Sequence, residues 1–379
     1  MIAMSYVMQA IDLTNEMLNN VRTSNYADDP TYATSQIAAT AAVDGAVDTL
    51  VVPLEYKFFF VPATDEATYT FQMSAAGTFY VDWGDGNVLR IDKSDTTSVP
   101  YSHEYKDGKP ASAHEIALAG YPTKYAGTMT AVISFYDGNS AAKNTYQIKS
   151  MRGCLGCLFH NVPSGGCPHF YYTFANNAAL TGSIPENLLG ELNCPPGRRM
   201  FSSMFAGCTG LTGSIPENLF AGIKGAPEFS VFNSTFKNCS NLTGSIPEKL
   251  FAGVKGPPDS QSFASTFNGC SGLTGEIPEK LFAGVVGDPA TIMFASTFSG
   301  CKNLSGDIPT GLFAGINPVG DYLSNMFSST FDGCSGLTGE SPKIDGKYLY
   351  EIWKPSSAQH TYKDVTLLDD YADIPAEWK

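Results

Sequence analysis

From Phe174 to Leu337 the chain carries six copies of one unit. Leu180, Leu211, Leu242, Leu273 and Leu304 each open an L-T-G or L-S-G triplet at intervals of 31 residues, and Leu337 follows after 33. The consensus is F-x-S-T-F-x-G-C-x-x-L-T-G-x-I-P-x-x-L-F-A-G, followed by a stretch that differs in every copy. A repeat this regular constrains the architecture, because one unit cannot cover its own apolar face and stability must be shared between neighbours. The fixed positions are expected to build the structure, and the variable ones are left to recognise a partner.

Within the unit, L-T-G-x-I-P suits a short extended stretch that ends at the proline. The following E-N-L-F-A-G or E-K-L-F-A-G reads as one helical turn, with Pro at its first position and Gly just past its end. Glu186, Glu217, Glu248 and Glu279 would then complement the helix dipole rather than act as catalytic acids. F-x-S-T-F reads as a second short helix with two aromatics on one face. Stacking puts the leucines, Ile184 through Ile308, and Phe205 through Phe331 in register, with copies about one strand spacing (roughly 5 Å) apart. Cys208, Cys239, Cys270, Cys301 and Cys334 share one position, held by Asn177 in the first copy. Parallel side chains meet disulfide geometry poorly, so these are expected as small buried hydrophobes.

The net charge of -14 argues against nucleic acid and against an anionic membrane surface, since phosphate binding needs clustered Lys and Arg. Asp12 and Glu16 interrupt the only apolar stretch of the start, so neither a signal peptide nor a spanning helix is visible. Val7, Ala10, Ile11, Thr14, Leu18 and Val21 fall at helical spacing, and the Ala-rich segment Thr34 to Leu50 reads as a second helix. This leader is either loosely held or a stalk that oligomerises through residues 1–50.

Residues 56–148 read as strands, from the alternation of Tyr69, Phe71 and Met73, then Phe79, Val81 and Trp83, then Ile116 and Leu118, then Val132 and Ser134. The stretch GTFYVDWGDGNVLRI, with His103 and Tyr105 of an H-x-Y strand and the strand HEIALAG, resembles polycystic-kidney-disease (PKD) domains. That resemblance implies an immunoglobulin-like spacer of a surface chain. Asp82, Asp85 and Asn87 are oxygen donors that calcium can use, but Asp-Gly is also hairpin chemistry, and the structural interpretation is favoured. Trp83 is expected in the core.

The repeat unit itself resembles the leucine-rich repeat, most closely the BspA-like repeats of bacterial surface proteins, where an aromatic, Cys, Leu and Ile-Pro recur in that order. The expected fold class is therefore α/β: a leucine-rich-repeat-like solenoid of 31-residue repeats over 151–345, preceded by a small antiparallel β-sandwich over 54–150 and an N-terminal helical leader over 1–53. TYKDVTLLDDYADIP keeps the order aromatic, Leu368, Ile374, Pro375, so 346–379 reads as a degenerate capping repeat covered by Trp353 and Trp378.

Cys154, Cys157, Cys167 and Cys194 lie in the junction and the first loop, near His160 and His169. Zinc on Cys154, Cys157, Cys167 and His169, one or two disulfides, and free thiols all remain open. No nucleophile elbow, phosphate loop, H-E-x-x-H or Rossmann fingerprint appears, so neither catalysis nor a cofactor is expected. The resemblance implies binding or adhesion: an extracellular or cell-surface module that takes a protein or glycan partner. A phage particle or tail appendage, hence a virion location, is the alternative. The variable segments after Phe-Ala-Gly should line one edge, with Lys224, Glu228, Phe229, Lys255, Asp259, Asp288, Met293, Asp321 and Tyr322 as candidate partner contacts. Phe229, Met293 and Tyr322 are equally candidates for the core.

Overall fold

The computed structural model describes residues 40–43, 46–49, 58–127, 130–136, 146–163, 165–319, 324–354, 356 and 358–379. The chain divides into two compact units, Met1–Tyr56 and Lys57–Lys379. In the first, β1 (Thr40–Val43) and β2 (Ala46–Thr49) form an antiparallel hairpin with Thr40 opposite Thr49 and Val43 opposite Ala46. This corrects the Ala-rich helix expected over Thr34 to Leu50. Between the strands the sequence reads Asp44-Gly45, a dipeptide that favours a two-residue hairpin connection over a helix. The helix expected over Val7 to Val21 lies outside the described residues.

The second unit opens with eight strands. They are β3 (Phe58–Pro62), β4 (Thr68–Met73), β5 (Ala76–Asp82), β6 (Val88–Lys93), β7 (Val99–Glu104), β8 (Ile116–Lys124), β9 (Ile133–Ser134) and β10 (Ile148–Gly153). They make two antiparallel sheets, ordered β10-β3-β8-β5-β6 and β7-β4-β9. The period-2 alternation of Tyr69, Phe71 and Met73 puts all three inward from β4. Phe60 of β3 meets Tyr69 at 5.8 Å, Phe71 at 6.0 Å and Phe135 at 4.8 Å between ring centroids, which joins the two sheets. In the W-G-D-G turn, the Asp82 carboxylate accepts from the Gly84 N–H and the Asp85 carboxylate from the Asn87 N–H, both at 3.0 Å. Asp85 also holds His103 Nε2 at 2.8 Å, and Trp83 is buried and stacked on that imidazole at 4.9 Å. The carboxylates are thus engaged in shaping the turn.

The repeats overturn the α/β, leucine-rich-repeat-like solenoid expected from the sequence. Among the described residues, α-helix is limited to α1 (Leu155–Leu158) and α2 (Leu349–Ile352), and the ordered strands lie mainly in antiparallel sheets. The two helices expected per copy are both replaced by turns. In F-x-S-T-F, Ser230, Ser234 and Asn238 take φ of +55°, +56° and +61°, so the backbone is left-handed at every fourth residue. A right-handed helix cannot contain such residues. In E-N-L-F-A-G, Leu219, Ala221 and Ile223 donate to Pro216, Asn218 and Phe220, three residues back. These are single turns, so the glutamates after proline sit on no helix dipole.

What the left-handed residues permit is a bond to the next copy. Along Phe232–Cys239 the N–H groups alternate. Phe232, Ser234, Phe236 and Asn238 donate to Ser262, Ala264, Thr266 and Asn268 of the following copy at 2.7–2.9 Å, while Asn233, Thr235, Lys237 and Cys239 close turns within their own copy. Both sets of donors are satisfied without a helix or a long strand. Isolated parallel bridges, Gly182 with Leu211, Gly275 with Leu304, Gly225 with Val254 and Gly256 with Val285, join the copies elsewhere.

Side chains complete the register. Phe174, Phe205, Phe236, Phe267, Phe298 and Phe331 form one column with centroids 5.3–5.8 Å apart. A second column runs Phe201, Phe232, Phe263, Phe294 and Phe327, and a third Phe220, Phe251, Phe282 and Phe313. Threonine and cysteine bond backward across copies. Thr266 Oγ1 donates to Phe232 O at 3.1 Å, and Cys270 Sγ to Phe236 O at 2.9 Å. The cysteine column is therefore both a filler and a hydrogen-bond donor. Asn177, at that position in the first copy, accepts from the Ile148 N–H and donates to Phe135 O, since strand β10 stands where a preceding copy would be. At the far end Tyr362 stacks on Phe331 at 5.8 Å and Trp378 on Tyr362 at 6.2 Å, while Trp353 meets Phe327 at 5.4 Å.

Candidate binding surface

The bridges between copies place the residues after each Phe-Ala-Gly corner side by side. Gly225 with Val254 and Gly256 with Val285 set Lys224, Lys255 and Val286 in one exposed column. Glu228, Asp259 and Asp288 are exposed on the neighbouring segments, and Asp288 accepts from Asn317 Nδ2 at 2.7 Å. Lys224, Lys255, Glu228, Asp259 and Asp288 thus share one edge. Met293 leaves this set: it is fully buried behind Ala290, because the residue before the core phenylalanine points inward in this turn pattern. Phe229 is half-buried beneath Arg198. Asp321 and Tyr322 lie outside the described residues.

The four junction cysteines pair as Cys154 with Cys157 and Cys167 with Cys194. This corrects the zinc candidates Cys154, Cys157, Cys167 and His169. A disulfide offers no thiolate to a metal, and no group of three or more His, Cys, Asp or Glu that could hold one occurs among the described residues. His169 is buried, and that burial pushes its pKa down.

The remaining five cysteines are free and buried. Thiol titration of the native chain is expected to find none reactive, five in denaturant, and all nine only after reduction; nine without reductant would rule out both disulfides. Burial pushes the thiols of Cys270 and Cys334 up to about 12. Their folded values lie above the unfolded thiol value of roughly 8.5, so the stability gained by keeping them neutral is complete below that pH and is lost as pH rises through about 12. Alkaline titration followed by circular dichroism should show unfolding over that window, and a chain with both changed to alanine should hold to higher pH relative to its own stability at pH 7.

The I-P ladder lines an open groove of about 800 Å³. Ile215, Ile246, Pro216 and Pro247 floor it, and Glu186, Glu217, Glu248 and Glu276 stand on its rims. Glu217 is bridged to Lys249 at 3.2 Å.

Sequence reasoning missed one cluster. Tyr172 stacks on Tyr136 at 5.4 Å and meets Tyr171 edge-on at 4.4 Å; Arg199 lies 6.0 Å from the Tyr171 ring and 5.4 Å from that of Phe229, with Arg198 4.3 Å over the latter. The signal was present as Tyr-Tyr at 171 and Arg-Arg at 198 in columns where no later copy carries Tyr or Arg. The proximity of Tyr136, from the strand block, was not readable.

Among the described residues no helix is long and apolar enough to cross a membrane. Comparison with protein-family models, with curated proteins and with solved structures found no match for this chain.

Proposed function

We propose that the chain is a non-enzymatic surface or adhesion module that binds a protein or glycan partner. The observation that carries this is the division of labour within each repeat. The fixed Leu, Ile, Phe, Thr and Cys are buried and bonded between copies, whereas the exposed edge holds positions that vary along the stack, Lys224, Lys255, Val286 and Asn317 in one column and Glu228, Asp259 and Asp288 beside it. Two disulfides favour an oxidising compartment, which suits a cell-surface or extracellular location. The resemblance of residues 56–148 to PKD spacers supports the same reading.

The test is saturable binding of the full chain to a panel of immobilised glycans and extracellular proteins, compared with the charge reversal Lys224→Glu with Lys255→Glu. Capture by a panel member is expected, and the reversal should change its salt dependence if that edge takes part. Absence of saturable binding to every member would overturn the proposal.

A further inference from the structure

We infer that Tyr136, Tyr171, Tyr172, Arg198, Arg199 and Phe229 form a binding site for an oligosaccharide bearing a carboxylate. The inference rests on the adhesion reading above and gives it a site and a ligand class.

These rings differ from the others of the repeats. The phenylalanines of the three columns are all buried at 3% exposure or less, whereas Tyr136, Tyr171, Tyr172 and Phe229 are only partly buried and contact one another or the two arginines rather than a column. An aromatic that contributes to no core gains from covering the apolar C–H face of a pyranose, which its ring meets over a large area at small conformational cost. The arginines supply charge recognition. They are two of only five in a chain of net charge -14. Arg90 and Arg152 are paired with Asp92 and Glu115, but Arg198 has no carboxylate partner among the described residues. A guanidinium carried over a ring still presents N–H donors to a planar carboxylate, which it binds as a fork. Nucleic acid is the poorer fit, since two cations on an acidic chain neutralise too little phosphate.

The repeat accommodates smaller polar residues in the columns of Tyr171, Tyr172, Arg198 and Arg199. Thirty-one residues after Tyr171 and Tyr172 stand Ser202 and Ser203, and sixty-two after Arg198 and Arg199 stand Ser260 and Gln261. Tyr172 and Arg199 both have φ of +56°, and Ser203 and Gln261 hold the same backbone at +56° and +61°.

The experiment uses the full chain and calorimetric titration with hexagalacturonate, a hyaluronan hexasaccharide and sialyllactose. Their neutral counterparts, the methyl esters and lactose, are run alongside. The variant Tyr171→Ser, Tyr172→Ser, Arg198→Ser, Arg199→Gln takes only residues that later copies carry in the same columns. At least one acidic oligosaccharide is expected to bind, at least tenfold more tightly than its neutral counterpart and at least tenfold more tightly than to the variant. Binding by none of the three, equal binding of the neutral form, or unchanged affinity in the variant overturns the inference. The comparison of acidic with neutral ligand needs only the unaltered chain, so it holds even if the variant fails to fold. Capture of the chain by a protein or neutral glycan on the immobilised panel, with no acidic sugar bound, would sink this site while leaving the adhesion reading intact.

Discussion

Phe263→Ala is expected to lower the free energy of unfolding of the Lys57–Lys379 unit by about 3–5 kcal/mol, measured as a shift of the denaturant midpoint. Phe263 is fully buried in the middle of its column, 5.6 Å from both Phe232 and Phe294 and 5.2 and 4.9 Å from Phe251 and Phe282. Truncation removes contacts to four rings at once. The backbone cannot move in to fill the space, because the Phe263 N–H is bonded to Met293 O in the next copy and Phe263 O accepts from Thr297 Oγ1. The cavity therefore persists, which places the cost toward the upper part of the range. Phe229→Ala is the control. That ring is only partly buried beneath Arg198, and its loss should cost about 1 kcal/mol or less. Equal losses at the two positions would show that column stacking is not what holds the copies together.

Gly253→Ala is expected to cost about 3 kcal/mol, more than its single added methyl suggests. A Cβ at Gly253 would lie 2.2 Å from the backbone carbonyl oxygen of Ile223 in the preceding copy. The obstacle is main chain, so no rotamer change relieves it. The same position meets Val254 O at 2.2 Å for Gly284 and Val285 O at 2.4 Å for Gly315. This recurrent contact explains why every Phe-Ala-Gly corner keeps its glycine. Separating the copies to make room would stretch neighbouring bonds such as Gly225 N–H to Gly253 O at 3.1 Å. Gly311→Ala has only Ala314 Cβ at 4.0 Å and should be neutral or stabilising by up to about 1 kcal/mol. Thermal midpoints of the two variants decide the matter, and a Gly253→Ala chain as stable as Gly311→Ala would refute close approach as the reason for the conserved spacing of the copies.

Much of the interior is legible in the sequence. Strands at Tyr69–Met73, Phe79–Val81 and Ile116–Leu118 follow from period-2 alternation, which survives because one face of each sheet is covered. The buried columns of Leu, Ile, Phe and Cys follow from recurrence alone. The local conformation was misread at F-x-S-T-F. Two aromatics four apart fit a helical face, yet Ser234 and its equivalents adopt left-handed backbone that no propensity scale assigns to serine. Bonds to the next copy, absent from any isolated unit, stabilise that conformation. The disulfides were likewise one of three open readings until Cys167 and Cys194 were brought together across 27 residues.

Periodicity therefore determined which residues are inside, because burial of a repeated apolar position depends only on having a neighbour of the same kind. Three things belong to the tertiary structure: the turn-based backbone, the pairing of Cys154 with Cys157 and Cys167 with Cys194, and the meeting of Tyr136 with Tyr172. The bonds between copies, the Cys167–Cys194 bridge across 27 residues and the Tyr136–Tyr172 contact join segments that are distant in the chain, whereas Cys154 and Cys157 are neighbours whose pairing the motif allowed without deciding. A single unit read by itself holds no record of the hydrogen bonds that its neighbours will supply.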